Sequence, residues 1–285
     1  MAEPEVATPG SERPRTPGFA TDLALLGLQG STVDVRDDYL VVRTPVNPTF
    51  HWGNCLVLDR APLAGSLESW LAVFAGEHPG AAHVAMGIDD PDTVVDPAEA
   101  RALGLSVERD VVLQAQELDA PEAIGGITLR ALDPTDDADW AAYVDMEVDG
   151  YDGSSGEDLD AHRVFLTRRF AGHRSLAASG RGAWFGAYLP DGRPVAGLGV
   201  FSVGRGLARY QDVVTHPDHR RRGIAAALLR HAGRWALARE EVRTLVIVAD
   251  PEGPAIGVYR RAGFDELAVQ WQLYRNQAAS TDSPD

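Results

Sequence analysis

Two stretches of this chain repeat each other about 160 residues apart, and no other feature restricts the fold as strongly. HVAMGIDDPD at 83–92 parallels TLVIVADPEG at 244–253, and ARALGLSVERDVVLQAQ at 100–116 parallels YRRAGFDELAVQWQLYR at 259–275. Each reads as a buried strand, a short helix closed by Gly104 or Gly263, and a final strand. A nearly constant offset over two successive elements points to duplication, so the chain must build two copies of one α/β unit. Upstream of the first copy, DDYLVVRT and GNCLVLD read as strands and SLESWLAVFAG as a helix. Upstream of the second, GITLRA reads as a strand and a helix follows from about Asp136, with Trp140, Tyr143 and Val144 on one face. AWFGAYLPDGRPVAGLGVFSV reads as a hairpin turning at Asp191-Gly192, LARYQDVVT as a third strand, and a helix is predicted from about Arg221 to Ala238. The expected division is a solvated tail (1–18), a first domain (19–117), a linker (118–126), a second domain (127–275) and a second solvated tail (276–285).

With 285 residues, 45% of them hydrophobic, the chain can bury two modest cores. No stretch is long and apolar enough to span a bilayer and the N-terminus lacks a secretory pattern, so a cytoplasmic location is expected. The single cysteine, Cys55, excludes an internal disulfide and a Cys-rich metal site; it reads as a small buried hydrophobe, and no metal is expected. All 26 basic residues are arginine and the formal charge is −16, which repels nucleic acid and anionic membrane and attracts amines. Against this background Arg220, Arg221 and Arg222 stand as a local exception within VVTHPDHRRRGIAAALL.

A glycine-containing turn from a strand into a helix suits phosphate binding. The first amides of the helix are free, its dipole favours negative charge, and small residues admit the ligand. RRRGIAA meets these requirements, although a solvated arginine run before a tight turn would read the same way. A P-loop is excluded because the chain has no lysine, and the spaced glycines of a dinucleotide fingerprint are missing. What fits is R-x-x-G-x-A, at Arg220, Gly223 and Ala225, preceded by V-x-T-x-P at Val213, Thr215 and Pro217 and followed by Tyr259, Gly263 and Phe264 in Y-x-x-x-G-F. On these residues the segment 126–275 resembles the GNAT superfamily of acetyl-CoA-dependent N-acetyltransferases. The resemblance implies an α/β fold of two GNAT-like domains, each a mixed, mostly antiparallel twisted sheet flanked by helices, with the N-terminal copy degenerate. It implies acetyl-CoA as acetyl donor, with Val213, Val214 and Thr215 holding the pantetheine arm by main-chain bonds. Arg220, Arg221, Arg222, Gly223, Ile224, Ala225 and Ala226 would hold the pyrophosphate, and a strand amide near Val214 would stabilise the oxyanion.

The implied reaction is direct attack of a primary amine, from a small molecule or a peptide, on the thioester in a ternary complex. An amine is protonated at neutral pH, so a base must take a proton and an acid should return one to the sulfur. Tyr259 is the expected acid and Asp212 the first candidate base, with a water relay as the rival. His216 and His219 read as turn or phosphate contacts. Glu252 stands where the family commonly has an asparagine, which keeps open a non-catalytic acetyl-CoA-binding regulatory module. Asp145, Glu147, Asp149, Asp152, Glu157, Asp158 and Asp160 form either a solvated loop or an electronegative entrance for the amine. In the first copy Ala100 replaces Tyr259, and Phe50, His51 and Trp52 either pack the core or line an acceptor pocket. Neither nucleic acid nor membrane is an expected partner, and pairing of two copies is left open.

Overall fold

β-Branched runs alternating with helical patterns put eleven strands into one sheet. The computed structural model describes residues 14–153 and 158–276. The first copy comprises α1 (Pro17–Leu28), β1 (Thr32–Val35), β2 (Tyr39–Arg43), β3 (Cys55–Leu58), α2 (Leu67–Glu77), β4 (His83–Ile88), α3 (Pro97–Ala102) and β5 (Ser106–Ala115). The second comprises β6 (Thr128–Ala131), α4 (Asp137–Asp149), α5 (Leu159–Ala178), β7 (Gly182–Tyr188), β8 (Pro194–Gly204), β9 (Leu207–Thr215), α6 (Ile224–Leu237), β10 (Thr244–Ala249), α7 (Ile256–Ala262) and β11 (Asp265–Asn276). Only β3 with β4 and β9 with β10 run parallel; the other neighbouring pairs are antiparallel.

The repeat is visible in three dimensions as β4–α3–β5 and β10–α7–β11, but the closing strands are exchanged. The sheet order is β1-β2-β3-β4-β11-β5-β10-β9-β8-β7-β6. The last strand of the chain therefore pairs with β4 of the first copy, and β5 of the first copy pairs with β10 of the second. The two exchanged strands also pair with each other, Gln270 opposite Asp110 among them. Val111, Leu113 and Ala115 of β5 consequently sit in one apolar cluster with Leu245, Ile247, Leu228 and Leu229 of the second copy. In return Leu273 of β11 packs with Leu56, Leu58, Met86 and Ile88 of the first.

Two helices were not legible in the patterning. The chain is already helical at Pro17, inside the expected tail; the remaining tail residues, 1–13 and 277–285, lie outside the described residues. Pro17 occupies the first helical position, where its missing N–H costs nothing, and Asp89 accepts from the amides of Arg15 (2.5 Å) and Thr16 (2.7 Å) just before it. Phe19, Leu23 and Leu26 then bury against Leu40, Val42, Val57 and Ala85. The second is α5, whose N-cap Asp158 accepts from Ala161 N at 2.8 Å and whose Leu166, Phe170, His173 and Leu176 form its buried face. Among the described residues no helix is long and apolar enough to cross a membrane.

Because β5 completes the core of the second copy, the two copies should unfold together. Leu113→Ala, at a fully buried position, should cost about 2–5 kcal/mol and move one unfolding transition as a whole. Two separate transitions in a thermal melt followed by circular dichroism, only one of them shifted, would contradict this coupling.

Candidate active site

The site begins with a fault in β9. Its register against β8 slips by one residue, from Gln211 opposite Gly199 to Val214 opposite Gly197, so that two residues face one. At this bulge Asp212 adopts φ 42°, a left-handed conformation that costs a non-glycine residue about 1–3 kcal/mol. On β8, Gly197 is required because a Cβ would lie 2.1 Å from the Tyr143 ring. On its other edge β9 pairs with β10 only through Leu207, Ala208 and Arg209, while β10 continues along β5 to Ala249. Beyond Arg209 the two parallel strands therefore part, and Val213, Val214 and Thr215 flank the opening half-buried. The Thr215 hydroxyl is buried without a hydrogen-bond partner among the described residues.

Arg169 of α5 holds the bulge. Its Nε donates to Asp212 Oδ2 at 2.7 Å and its Nη2 to Oδ1 at 2.8 Å, a bidentate pair, and its guanidinium lies 4.4 Å from the centre of the Phe50 ring. Burial alone would raise the Asp212 carboxyl, but the adjacent Arg169 outweighs it and holds the group below the ordinary carboxylate range. His173, 3.8 Å from Asp212 Oδ2, is pushed down to about 3 by burial and by Arg169, and so is neutral.

The predicted phosphate turn follows β9. Arg221 (φ 60°) and Gly223 (φ 78°) both take left-handed conformations, an arrangement that turns successive amides toward one point. Gly223 caps α6 without a side-chain bond, and no acidic residue occupies the first turn. Ala227 makes the first backbone bond, to Gly223 O, so the amides of Ile224, Ala225 and Ala226 have no helical partner. The arginine side chains are exposed and turn back on their own loop: Arg220 Nε donates to Thr215 O at 3.0 Å, and Arg222 Nη1 meets His219 Nδ1 at 2.9 Å. His216 takes a turn contact from Asp218 N and meets Asp149 Oδ2 at 3.2 Å.

The first copy presents the same helix start closed. Between β3 and α2, the Glu99 carboxylate accepts from Gly65 N at 2.9 Å and Leu67 N at 3.0 Å. An internal carboxylate thus takes the first helical amide of α2, that of Leu67, and the amide of Gly65 before the cap, whereas the first amide of α6, that of Ile224, meets no such group among the described residues. Ala100, at the place of Tyr259, is buried in the core of the first copy.

Two cavities adjoin the opening. The larger, about 700 Å³, is lined by Tyr210, Val213, Ile247, Val248 and Tyr259 at the parted strands, and by residues of α1, β5 and β11 beyond them. The smaller, about 470 Å³, is lined by Glu147, His162, Phe165, Val214 and Tyr274. Phe50, Trp52, Arg169 and Asp212 border both, so the aromatic stretch of the first copy forms cavity wall. Tyr259 is buried, and burial pushes its phenol up to about 12. Glu147 is pushed up to about 8, first by burial and then by the Asp212 charge; its Oε1 is buried without a partner among the described residues.

The acidic segment is divided by the fold. Asp145 pairs with Arg163, Asp149 meets His216, Asp158 caps α5, Asp152 and Asp160 are exposed, and Glu147 alone turns to a cavity. Glu157 lies outside the described residues. Glu252 is exposed in the turn before α7, with its amide bonded to Asp250 Oδ1 at 2.8 Å. Arg169, His173, Asp22, Arg209 and Asp110 were missed as site residues. For Arg169 and His173 the signal was the unrecognised period of α5; Arg209 and Asp110 depend on strand pairing, and Asp22 on the packing of α1.

Arg169→Met should leave Asp212 partly buried and unpaired, lowering stability at pH 7 by about 2–4 kcal/mol. Asp212 is held below its unfolded value of about 3.9, so its contribution is present above about pH 4 and is lost as pH falls through the folded pKa. Denaturant melts should therefore show the gap between wild type and variant narrowing toward pH 3. A gap independent of pH would assign the loss to packing instead.

The sequence profile of the acetyltransferase (GNAT) family matches residues 157–264. A streptothricin acetyltransferase of Streptomyces lavendulae is 30% identical over 131 residues, which cover 46% of this chain and 59% of that protein; the chain thus spans little more than half the length of that relative. A GCN5-related N-acetyltransferase from Kribbella flavida superposes with a TM-score of 0.60 at 17% identity, covering 93% of this chain and 98% of the other. A tandem GNAT protein from the clavulanic acid biosynthesis pathway superposes at 0.52 with 16% identity, covering 92% and 95%. These two likenesses concern the fold. The bulged and parted strand, the glycine turn into α6 and Tyr259 on α7 all lie in the segment 157–264 that matches the acetyltransferase (GNAT) family.

Proposed function

We propose that the second copy transfers the acetyl group of acetyl-CoA to a primary amine by direct attack in a ternary complex. The observation that carries this reading is the seam between β9 and β10, which has unpartnered helix amides at one mouth and titratable groups in the cavities at the other. The residues fit the donor. The α6 start offers the amides of Ile224, Ala225 and Ala226 to a pyrophosphate, and Arg220, Arg221 and Arg222 add charge at its rim. Val213, Val214 and Thr215 would hold the pantetheine arm, with an orphaned Thr215 hydroxyl among them. When bound, acetyl-CoA supplies the activated acyl group.

The base is assigned to Glu147 in place of Asp212. Asp212 is tied by both oxygens to Arg169 and held below the carboxylate range, which leaves it little appetite for a proton. A carboxyl near 8 is about one-tenth ionised at pH 7 and half-ionised at pH 8, and its ionised form can take a proton from an incoming ammonium. Tyr259 keeps its proton throughout the physiological range and can donate to the departing sulfur. Arg169 and Asp212 then act as positioning residues that fix the bulged strand. Tyr259 on the larger cavity and Glu147 on the smaller favour catalysis over a purely regulatory binding module.

Thiol release from acetyl-CoA across a panel of amines tests the reading; no release with any amine, despite acetyl-CoA-dependent thermal stabilisation, would leave only binding. Glu147→Gln should lower kcat/KM by about 10²–10⁴-fold and remove an activity limb that rises with pH through about 8. Persistence of that limb would transfer the proton to a water relay. Tyr259→Phe should reduce kcat with little change in acetyl-CoA affinity, and normal turnover would exclude it as the acid.

A further inference from the structure

We propose that Arg209 and His173 hold a carboxylate of the acceptor in the larger cavity, so that the acceptor is an amino acid or a related aminocarboxylate. This rests on the acetyl-transfer reading and names the substrate class of that same site. Arg209 is the last residue of β9 that still pairs with β10, opposite Val246, and it lines the larger cavity together with Val213, Val248 and Tyr259 at the parted strands. Its side chain is only 8% exposed. Nη2 donates to Asp22 Oδ1 at 2.8 Å, while Nε and Nη1 are buried with no acceptor among the described residues. Those two nitrogens carry three N–H groups between them. His173 lines the same cavity beside them: its ring stacks on Phe201 with centroids 5.4 Å apart, and Phe201 is the residue opposite Arg209 in the β8–β9 register. The Gln29 amide donates to His173 Nδ1 at 3.0 Å, so the proton of the neutral ring sits on Nε2. That N–H too is buried without a partner among the described residues, Asp212 Oδ2 being 3.8 Å away.

Buried donors are ordinarily satisfied, and an unmade bond costs most on a charged group. The acceptors on this wall are engaged elsewhere. Asp22 is taken by Arg209 Nη2, and Asp212 by two nitrogens of Arg169. Asp110 accepts from Gln272 Nε2 at 2.5 Å, and Arg209 acts on it less than Glu108, Asp250 and Asp22 do. Gln270 Oε1 is turned to α1, where a Cβ at Gly18 would lie 2.0 Å from it. Arg168, exposed on the same wall, adds a cation with no ion pair among the described residues. A carboxylate supplies two acceptor oxygens together with the charge that complements a buried guanidinium; a neutral carbonyl supplies neither the second oxygen nor the charge. A phosphate dianion would set a double charge on a wall that also carries Asp22, Asp110 and Asp212, which favours the single charge of a carboxylate. The amine of such an acceptor would lie toward Val213 and Tyr259, where the seam opens onto this cavity.

The test is calorimetric titration of the full chain, with CoA present to occupy the start of α6, by glycine, L-leucine, 4-aminobutanoate and 6-aminohexanoate, each beside its own carboxamide. Thiol release from acetyl-CoA is followed with the same compounds. At least one acid should bind about tenfold more tightly than its amide, and Arg209→Gln combined with Asp22→Asn, which removes the ion pair as a whole, should bring that ratio within about twofold. His173→Phe, which keeps a stacking ring but no N–H, should narrow the ratio in the same direction if the double variant fails to fold. Acids that bind no more tightly than their amides overturn the subsite even when thiol is released. A preference for acids that survives these substitutions also overturns it, because the carboxylate then sits elsewhere. A preference that depends on these residues, with no thiol released from any compound, upholds the subsite and removes the acetyl-transfer reading.

Discussion

The exchange of β5 and β11 is the constraint on which the rest of the structure depends. Each copy ends in a strand that its own sheet does not accept, and the apolar face of each strand is buried in the other copy's core. Neither sheet can close alone without exposing Leu113 or Leu273 and the backbone groups paired to them. The exchange also decides what lines the larger cavity, since it places Asp110, Gln270 and Gln272 beside a seam built wholly by the second copy.

Within the second copy, strain and charge are set against each other. The bulge at Asp212 places a non-glycine residue in a left-handed conformation, and a two-point ion pair from α5 compensates for it. The parting of β9 from β10 follows, because a strand displaced by the bulge cannot keep its parallel register past Arg209. The same ion pair holds Asp212 ionised, whereas burial raises Glu147 to about 8 and Asp110 to about 6. In a chain of formal charge −16, the start of α6 carries three exposed arginines and no acidic residue in its first turn, while Glu147 and Asp110 lie on the cavities beyond the seam.

The duplication, the Asp191-Gly192 hairpin, the glycine that ends α7 and the turn into α6 were all legible in the sequence. Each rests on a local rule: a hydrophobic period, or a backbone conformation that glycine alone adopts cheaply. The helix α5 obeyed such a rule too, with Leu166, Phe170, His173 and Leu176 at helical spacing, but its polar face, with Arg163, Arg168, Arg169 and Arg174, masked the period. With that helix went Arg169, and without Arg169 the carboxylate of Asp212 read as a free base.

The sequence by itself determined the family-like signature, Gly223 and Ala225 at the helix start and Tyr259 on the following short helix, because these are neighbours along the chain or lie at fixed spacing within one unit. Only the tertiary structure decided the proton affinity of each carboxyl and which strands would wall the larger cavity. A carboxyl's proton affinity depends on burial and on charges brought near by folding. For Asp212 that charge is Arg169, 43 residues away, and for the cavity wall the pairing of Asp110 with Gln270 joins residues from opposite copies. No local pattern encodes that a final strand will be accepted by the other sheet, since both copies present nearly the same edge.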